Sequence, residues 1–348
     1  FADGSFYTPN GKANFVAITP RLPEQQTSPD YPFVLNTGRV RDQWHTMTRT
    51  GNAPRLLKHV DRPWLSIHPQ DAEVLQVSDG ELIKAQAACA GDIEVILPVK
   101  IDSKQRRGEV FAPFHWSATW GSHARVGALL NGVNDALSGQ PELKHGAIQL
   151  SPVKMQSYGV IFGDETLVQR IQKAAYYFLK MPTPVAQSIE VADPRTPQEM
   201  LGDIMPCLPR DAQWATKQGP EQLSVVVTHK EKLILAVLIH HRPTDMPRDW
   251  LDSLYSSEAI TAEQIHGLLE QQPDEEFRLG KVVCSCFGVR ENTIRQAISD
   301  GINTVGELGK ALQCGTNCGS CKTELASLIA STPVAAQQNE ETTNEYAL

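Results

Sequence analysis

The chain lacks any uninterrupted apolar run near the ~20 residues a membrane-crossing helix needs, so no helical span is expected. It also lacks a basic start followed by an apolar core, so no secretory signal is visible in the sequence. There is no initiator methionine: the opening Phe1-Ala2-Asp3-Gly4 reads as the start of a truncated or processed piece. Basic residues are outnumbered, 32 Lys and Arg against 40 Asp and Glu, and the net charge of -8 argues against a general nucleic-acid binder. No internal repeat is visible.

Cysteine, by contrast, is concentrated. Five of the seven cysteines fall within thirty-eight residues, and thirty-one residues separate Cys284-Ser285-Cys286 from Cys318-Gly319-Ser320-Cys321. Each pair is close enough to grip one metal centre, and soft sulfur selects zinc or an iron–sulfur cluster over hard cations. Without a leader, C-x-C and C-x-x-C pairs fit metal binding in a reducing cytoplasm better than disulfides. Cys314 with Cys318 and Cys321 has the spacing of a radical S-adenosylmethionine cluster, but that motif belongs near the start of a large barrel, not twenty-seven residues from the end. Cys314 could also displace Cys318 as a ligand, but C-x-x-C is the tighter bite, which leaves Cys314 outside the ligand set. Cys89 reads as a small core residue and Cys207 as an incidental linker thiol.

At 348 residues the chain has room for two or three domains. Residues 1–29 are polar and turn-rich, a leading segment from an upstream domain. Residues 30–153 carry short β-like runs at Phe33-Val34-Leu35, Trp64-Leu65-Ser66-Ile67, Leu82-Ile83-Lys84-Ala85, Ile93-Glu94-Val95-Ile96-Leu97 and Val110-Phe111-Ala112, which read as a small β-barrel. Pro69 to Leu75 suits a short helix. In residues 154–280, an α+β linker and scaffold region, a helix is expected from Thr166 to Lys180, with Leu167, Ile171, Ala174, Ala175 and Phe178 on one face. Residues 182–209 read as a proline-rich connector. Leu223–Val227 and Leu233–Ile239 read as a hairpin around His229-Lys230-Glu231-Lys232, not a favoured two-residue loop. A further helix covers 261–270.

The C-terminal region, 281–330, is a small all-α module. A helix from Glu291 to Asp300 stops at Gly301; a second starts at Thr304, with capping-box spacing to Glu307; a third starts near Cys321 and buries Leu325, Leu328 and Ile329. Residues 331–348 form a polar tail expected to be disordered. Helix starts beside the ligand loops favour an iron–sulfur cluster, whose negative charge they stabilise, while a zinc site would use the same four thiolates.

The two cysteine pairs with their surroundings, Val283 to Phe287 and Cys314 to Lys322, resemble the bacterioferritin-associated-ferredoxin-like [2Fe-2S] domain. That resemblance implies cluster ligation by Cys284, Cys286, Cys318 and Cys321, with Cys314 additional.

The front half has its own motif. Asn36 to Gly51 follows a strand and packs three arginines and two glycines into sixteen residues, a composition suited to cradling phosphate as well as to a solvated basic loop. With Ile67-His68-Pro69-Gln70-Asp71-Ala72, Phe111 to Trp116 and Gln140 to Lys144, it resembles the C-terminal cofactor-binding domain of the molybdopterin oxidoreductases. The resemblance implies a double-psi β-barrel closing over a bis-(molybdopterin guanine dinucleotide) molybdenum cofactor. Thr37, Gly38, Arg39, Trp44, His45 and Thr46 become dinucleotide contacts, joined by Trp116, Asn131 and Lys144. A structural, hydrogen-bonded histidine is the other reading of His45.

Barrel and cluster module together, and the run Gln43 to Gly51, are similar to the assimilatory nitrate reductases within that family. This implies reduction of nitrate to nitrite in the cytoplasm, with electrons from a flavoprotein subunit, ferredoxin or flavodoxin entering at the C-terminal cluster. They would pass through an upstream [4Fe-4S] cluster to molybdenum. Neither the [4Fe-4S] motif nor the domain ligating molybdenum is in the chain, so no catalytic residue is expected here and the chain alone should be inactive. A related enzyme such as formate dehydrogenase, and a non-catalytic zinc-stabilised partner-binding protein, are the alternatives. No nucleic acid or membrane partner is expected.

Overall fold

The computed structural model describes residues 2–278 and 280–332. Expectations for the tail from residue 333 onward lie outside the described residues. Six strands, β1 (Phe33–Gly38), β2 (Leu65–Ile67), β3 (Leu82–Gln86), β4 (Val95–Ile101), β5 (Glu109–Pro113) and β6 (Gly146–Pro152), close into a barrel of order β1-β5-β2-β4-β3-β6. Two pairs are parallel, β1 with β5 and β2 with β4, so the chain crosses the barrel between them. Leu35, Ile67, Ile83, Leu97, Val110 and Ile148 fill the interior. The short helices α1 (Pro54–Leu57) and α2 (Pro69–Leu75) lie in the crossovers, and His68 caps α2 by accepting the Gln70 N–H at 3.1 Å.

The barrel is followed by an antiparallel sheet. Its strands are β7 (Ser157–Gly163), β8 (Tyr177–Lys180), β9 (Gln187–Asp193), β10 (Gln213–Gln218), β11 (Gln222–His229) and β12 (Lys232–His240), in the order β10-β11-β12-β7-β9-β8. Helices α3 (Glu165–Gln172) and α4 (Pro197–Ile204) cover one face, packing on Val225, Val227 and Val237. Helices α5 (Arg248–Ser256) and α6 (Ala262–Glu270) cover the other, on Val226, Ala236 and Leu238. A sheet covered on both faces must be apolar on both, which explains the unbroken runs in β11 and β12.

Four expectations are corrected here. The helix at Thr166 stops at Gln172, and Tyr177–Lys180 is a strand. Phe178 reaches the same core as Ala175 from that strand, which is why its spacing imitated a helix face. The 182–209 connector contains strand β9 and helix α4: Pro182 and Pro184 precede the strand, Pro194 follows it and Pro197 opens the helix, where the missing N–H is harmless. The hairpin turn is a two-residue loop after all: Lys230 and Glu231 both take left-handed φ, +50° and +64°. Cys89 is exposed, since it lies in a single turn outside the barrel, its thiol 3.5 Å from the Leu129 carbonyl.

The C-terminal module holds a two-stranded ribbon, β13 (Val282–Cys284) and β14 (Val289–Arg290), and three helices, α7 (Glu291–Ser299), α8 (Val305–Leu312) and α9 (Lys322–Ser331). Val283, Ile294, Ile298, Leu308, Leu325 and Leu328 form its core, with Ile329 half-buried. Gly301, at φ +107°, turns the chain out of α7, and the Thr304 hydroxyl caps α8 by accepting the Glu307 N–H at 3.2 Å.

Barrel and sheet share a core of Met47, Trp116, Trp120, Tyr177 and Leu179. They also share backbone bonds: the Lys180 N–H donates to the Trp120 carbonyl at 2.6 Å and the Ser122 N–H to the Phe178 carbonyl at 3.0 Å. Beside these lies an ion network. Arg62 reaches Asp61 at 3.0 Å, Glu190 at 3.3 Å and Asp245 at 2.8 Å, and Arg248 also binds Asp61. Arg290 pairs with Asp249, tying the module to α5. No described helix is long and apolar enough to cross a membrane.

Candidate cofactor sites

The four predicted ligand cysteines come together, each member of one motif beside a member of the other. The Cys286 and Cys318 sulfurs lie 3.4 Å apart, and the Cys321 thiol hydrogen-bonds with Cys284. Cys284 ends β13 and Cys321 caps α9, both buried, whereas Cys318 is exposed. Gly288, Gly315 and Gly319, at φ +67°, +77° and +72°, supply the left-handed turns that bring these loops together. The Gly315 N–H donates to the Cys321 sulfur.

The thiols differ in their readiness to ionise. Hydrogen bonds from the Ser320 hydroxyl and then its backbone N–H lower Cys318 to about 7. Burial, with Cys284 beside it, pushes Cys321 up to about 11. Burial also raises Cys314, whose thiol donates to the Leu308 carbonyl at 3.5 Å. Among the described residues no three Cys, His, Asp or Glu side chains are gathered as ligands of a single ion; the thiols meet two by two. Four soft sulfurs in two pairs suit a two-iron cluster, for which Cys284, Cys286, Cys318 and Cys321 are the available donors.

The barrel motif forms a loop after β1. Three of its residues that are not glycine have left-handed φ: Asp42 at +69°, His45 at +46° and Met47 at +60°. Each such conformation costs about 1–2 kcal/mol, so something must hold it. The holder is His115, buried and unmarked as a site residue by sequence. Its Nε2 accepts the Val40 N–H at 3.0 Å, so its Nδ1 carries the proton and donates to the His45 carbonyl at 2.7 Å. Burial first, then the charges of Arg39 and His45, lower its pKa and keep this neutral form. The signal lay in Phe114-His115-Trp116, where a polar residue sits between aromatics at a strand end.

Gly38 and Gly51 are fixed by packing. A β-carbon on Gly38 would sit 2.6 Å from the Phe111 ring, and one on Gly51 would sit 2.3 Å from the Trp120 ring. Trp120 also donates from Nε1 to the Thr46 carbonyl at 3.1 Å. Gly51→Ala should therefore displace Trp120 and cost about 2 kcal/mol, read as a lower urea midpoint with unchanged slope.

Trp44 is 56% exposed, with the Arg39 guanidinium 5.8 Å from its ring centre and His45 edge-on at 4.6 Å. Thr46 is exposed beside them. The Thr37 hydroxyl donates to the Leu143 carbonyl at 2.6 Å, and Lys144 reaches the Thr37 carbonyl. Trp116 is buried beneath the loop with Met47, and Asn131 takes no part in the bonds linking Thr37, Leu143 and Lys144. Gln43 Oε1 and His145 Nε2 are buried without a hydrogen-bond partner. The exposed cation and ring of Arg39 and Trp44 suit an anionic heteroaromatic ligand such as a dinucleotide.

The two sites adjoin. Arg41 donates to the Val283 carbonyl and Arg55 to the Cys286 carbonyl, both at 3.4 Å. His59 and Lys281 each meet Glu324 at 2.8 Å. A cavity of about 410 Å3, lined by Leu57, Lys58, Met246, Asp252, Phe277 and Val282 among others, separates barrel, sheet region and module behind this contact.

Residues 33–165 match the family described as "Molydopterin dinucleotide binding domain", and residues 282–331 match the "BFD-like [2Fe-2S] binding domain". A nitrate reductase of Klebsiella oxytoca is 31% identical over 92% of this chain and 36% of its own length. A nitrate reductase of Shewanella frigidimarina is 25% identical over 93% of this chain and 37% of its own. An F420-dependent formate dehydrogenase subunit alpha of Methanocaldococcus jannaschii is 30% identical over 42% of this chain and 21% of its own. The chain thus spans about a third of the length of these nitrate reductases. Domain by domain the chain is thus similar to two cofactor-binding families, a molydopterin dinucleotide binding domain in its front half and a BFD-like [2Fe-2S] binding domain near its C-terminal end.

Proposed function

We propose that this chain is the C-terminal part of a molybdenum-dependent assimilatory nitrate reductase, which reduces nitrate to nitrite in the cytoplasm. The observation carrying this reading is similarity to nitrate reductases over 92% of the chain, barrel and cluster module included, against 42% for the formate dehydrogenase subunit. In this reading residues 30–153 close over a bis-(molybdopterin guanine dinucleotide) cofactor, residues 154–280 hold the parts in register and residues 281–330 take in electrons. Residues 1–29 lead in from an upstream part with its own [4Fe-4S] cluster.

Thr37, Gly38, Arg39, Trp44, His45, Thr46 and Lys144 form the dinucleotide cradle. Arg39 supplies a forked donor for phosphate and Trp44 an exposed ring for stacking. Trp116 supports the loop from beneath, and Asn131 lies at the margin. Cys284, Cys286, Cys318 and Cys321 hold the cluster, with Cys318 on the open side where a flavoprotein subunit, ferredoxin or flavodoxin can approach. When bound, the molybdenum cofactor supplies oxygen-atom transfer and the cluster supplies single electrons.

The test is nitrite formation from nitrate by the enzyme containing this chain, with reduced methyl viologen as donor and metal analysis alongside. Nitrite formed with iron and molybdenum present supports the reading. Formate oxidation without nitrite formation moves the chain to the formate dehydrogenases. Zinc without iron leaves a zinc-stabilised binding protein.

A further inference from the structure

We propose that Arg41 and Arg55, on the barrel, set the reduction potential of the cluster from outside the module that ligates it; this rests on the [2Fe-2S] reading above. Arg41 donates to the carbonyl of the residue before Cys284, and Arg55 to the carbonyl of Cys286 itself, both at 3.4 Å. Bonds that long are weak, so what the arginines deliver is charge. Guanidinium stays protonated at any working pH. A cluster held by four thiolates is negative and gains one more charge on reduction, so a fixed cation nearby raises its potential.

The surrounding charges decide which arginine matters more. Asp42 lies 3.4 Å from Arg41, whose guanidinium reaches the Val283 carbonyl of the cluster loop. Removing the Arg41 charge therefore leaves Asp42 uncompensated at the cluster loop. Arg41 is also the less exposed, its side chain 19% accessible, so solvent screens it less than Arg55. His59 and Lys281 are engaged with Glu324, while Lys322, a cation of the module itself, runs along Gly315 and Gly319. Arg41 and Asp42 begin the loop that continues to Trp44 and His45. One strained segment therefore reaches the cluster at its start and the dinucleotide cradle a few residues later.

The test is an EPR-monitored potentiometric titration of the 348-residue chain purified without oxygen. It compares wild type, Arg41→Gln, Arg55→Gln, the corresponding lysine variants, and Lys230→Gln as a distant charge control. In Arg41→Gln the ratio of reduced to oxidised cluster at the wild-type midpoint should fall at least threefold, a shift of about 30 mV to lower potential. Arg55→Gln should shift less in the same direction, and the lysine variants and Lys230→Gln should stay at the wild-type value. A glutamine variant that loses its iron while its lysine counterpart keeps it also supports the charge. Unshifted glutamine variants, or iron lost from both glutamine and lysine variants, overturn the proposal. A wild-type chain with no [2Fe-2S] signal overturns instead the reading on which it rests.

Discussion

Replacing Cys321 with serine should abolish the EPR signal of the reduced chain and take its iron from about two per chain to near zero. Cys321 is as enclosed as any of the four candidate ligands: it sits at the N-cap position of α9, it is buried like Cys284, and its thiol meets Cys284. A serine oxygen is a hard donor with a high pKa, poorly matched to iron–sulfur chemistry. The loss should reach beyond the metal. The matched module is about fifty residues long, near the size at which a hydrophobic core alone is marginal and metals are commonly needed. Hydrogen exchange should therefore quicken across 282–332 and stay unchanged in the barrel. Cys314→Ala is the contrast: its thiol bonds to the Leu308 carbonyl, so that variant should keep its iron and lose only stability. A Cys321→Ser chain with normal iron and signal would falsify the ligand assignment.

Asp61→Asn should destabilise the chain by about 3 kcal/mol, because it leaves Arg62 and Arg248 partly buried without their shared counter-charge. Burial alone would raise the Asp61 pKa, but Arg248 and Arg62 outweigh it and hold the group at about 2. A carboxyl lowered in the folded state contributes stability that is complete above its unfolded pKa of ~3.9. That contribution is lost as pH falls through 2. Glu324, also held at about 2 because His59 and Lys281 outweigh burial, has the same sign and window. Glu190 has the opposite sign, since burial raises it and protonation relieves its cost. Thermal melts from pH 7 to 2 should show the parent losing stability below ~4 and Asp61→Asn losing less. Identical curves for the two would remove the network as a source of stability.

The convergence of the four candidate cysteine ligands was legible in sequence because ligand spacing is a local constraint: two short motifs whose members must meet. Most barrel strands were legible too, since Leu82–Gln86 and Val95–Ile101 carry apolar runs bounded by turns. Strand β6 was not, because the runs on either side drew no distinction at Gly146. The sheet region was the least legible. Tyr177–Lys180 is a strand only because β9 lies beside it, and nothing within those four residues says so. His115 was hidden for the same reason. Its role depends on Val40 and His45, seventy-five and seventy residues earlier, approaching it from two sides. The arginine contacts of Arg41 and Arg55 with the module join positions over two hundred residues apart, beyond any local pattern.

The pairing of β8 with the barrel has a practical consequence for anyone cutting the chain into pieces. Strand β8 is the last strand of its sheet, and its outer edge is occupied by the barrel segment Trp120–Ser122, including a bridge from Gly121 to Leu179. Excising the barrel at the apparent boundary near residue 153 would strip that cover and leave Tyr177–Lys180 with unpaired amides and carbonyls. Such an edge is a template for pairing with another copy. The sheet and cluster module produced by themselves would thus carry an adhesive rim that the intact chain covers with its own backbone.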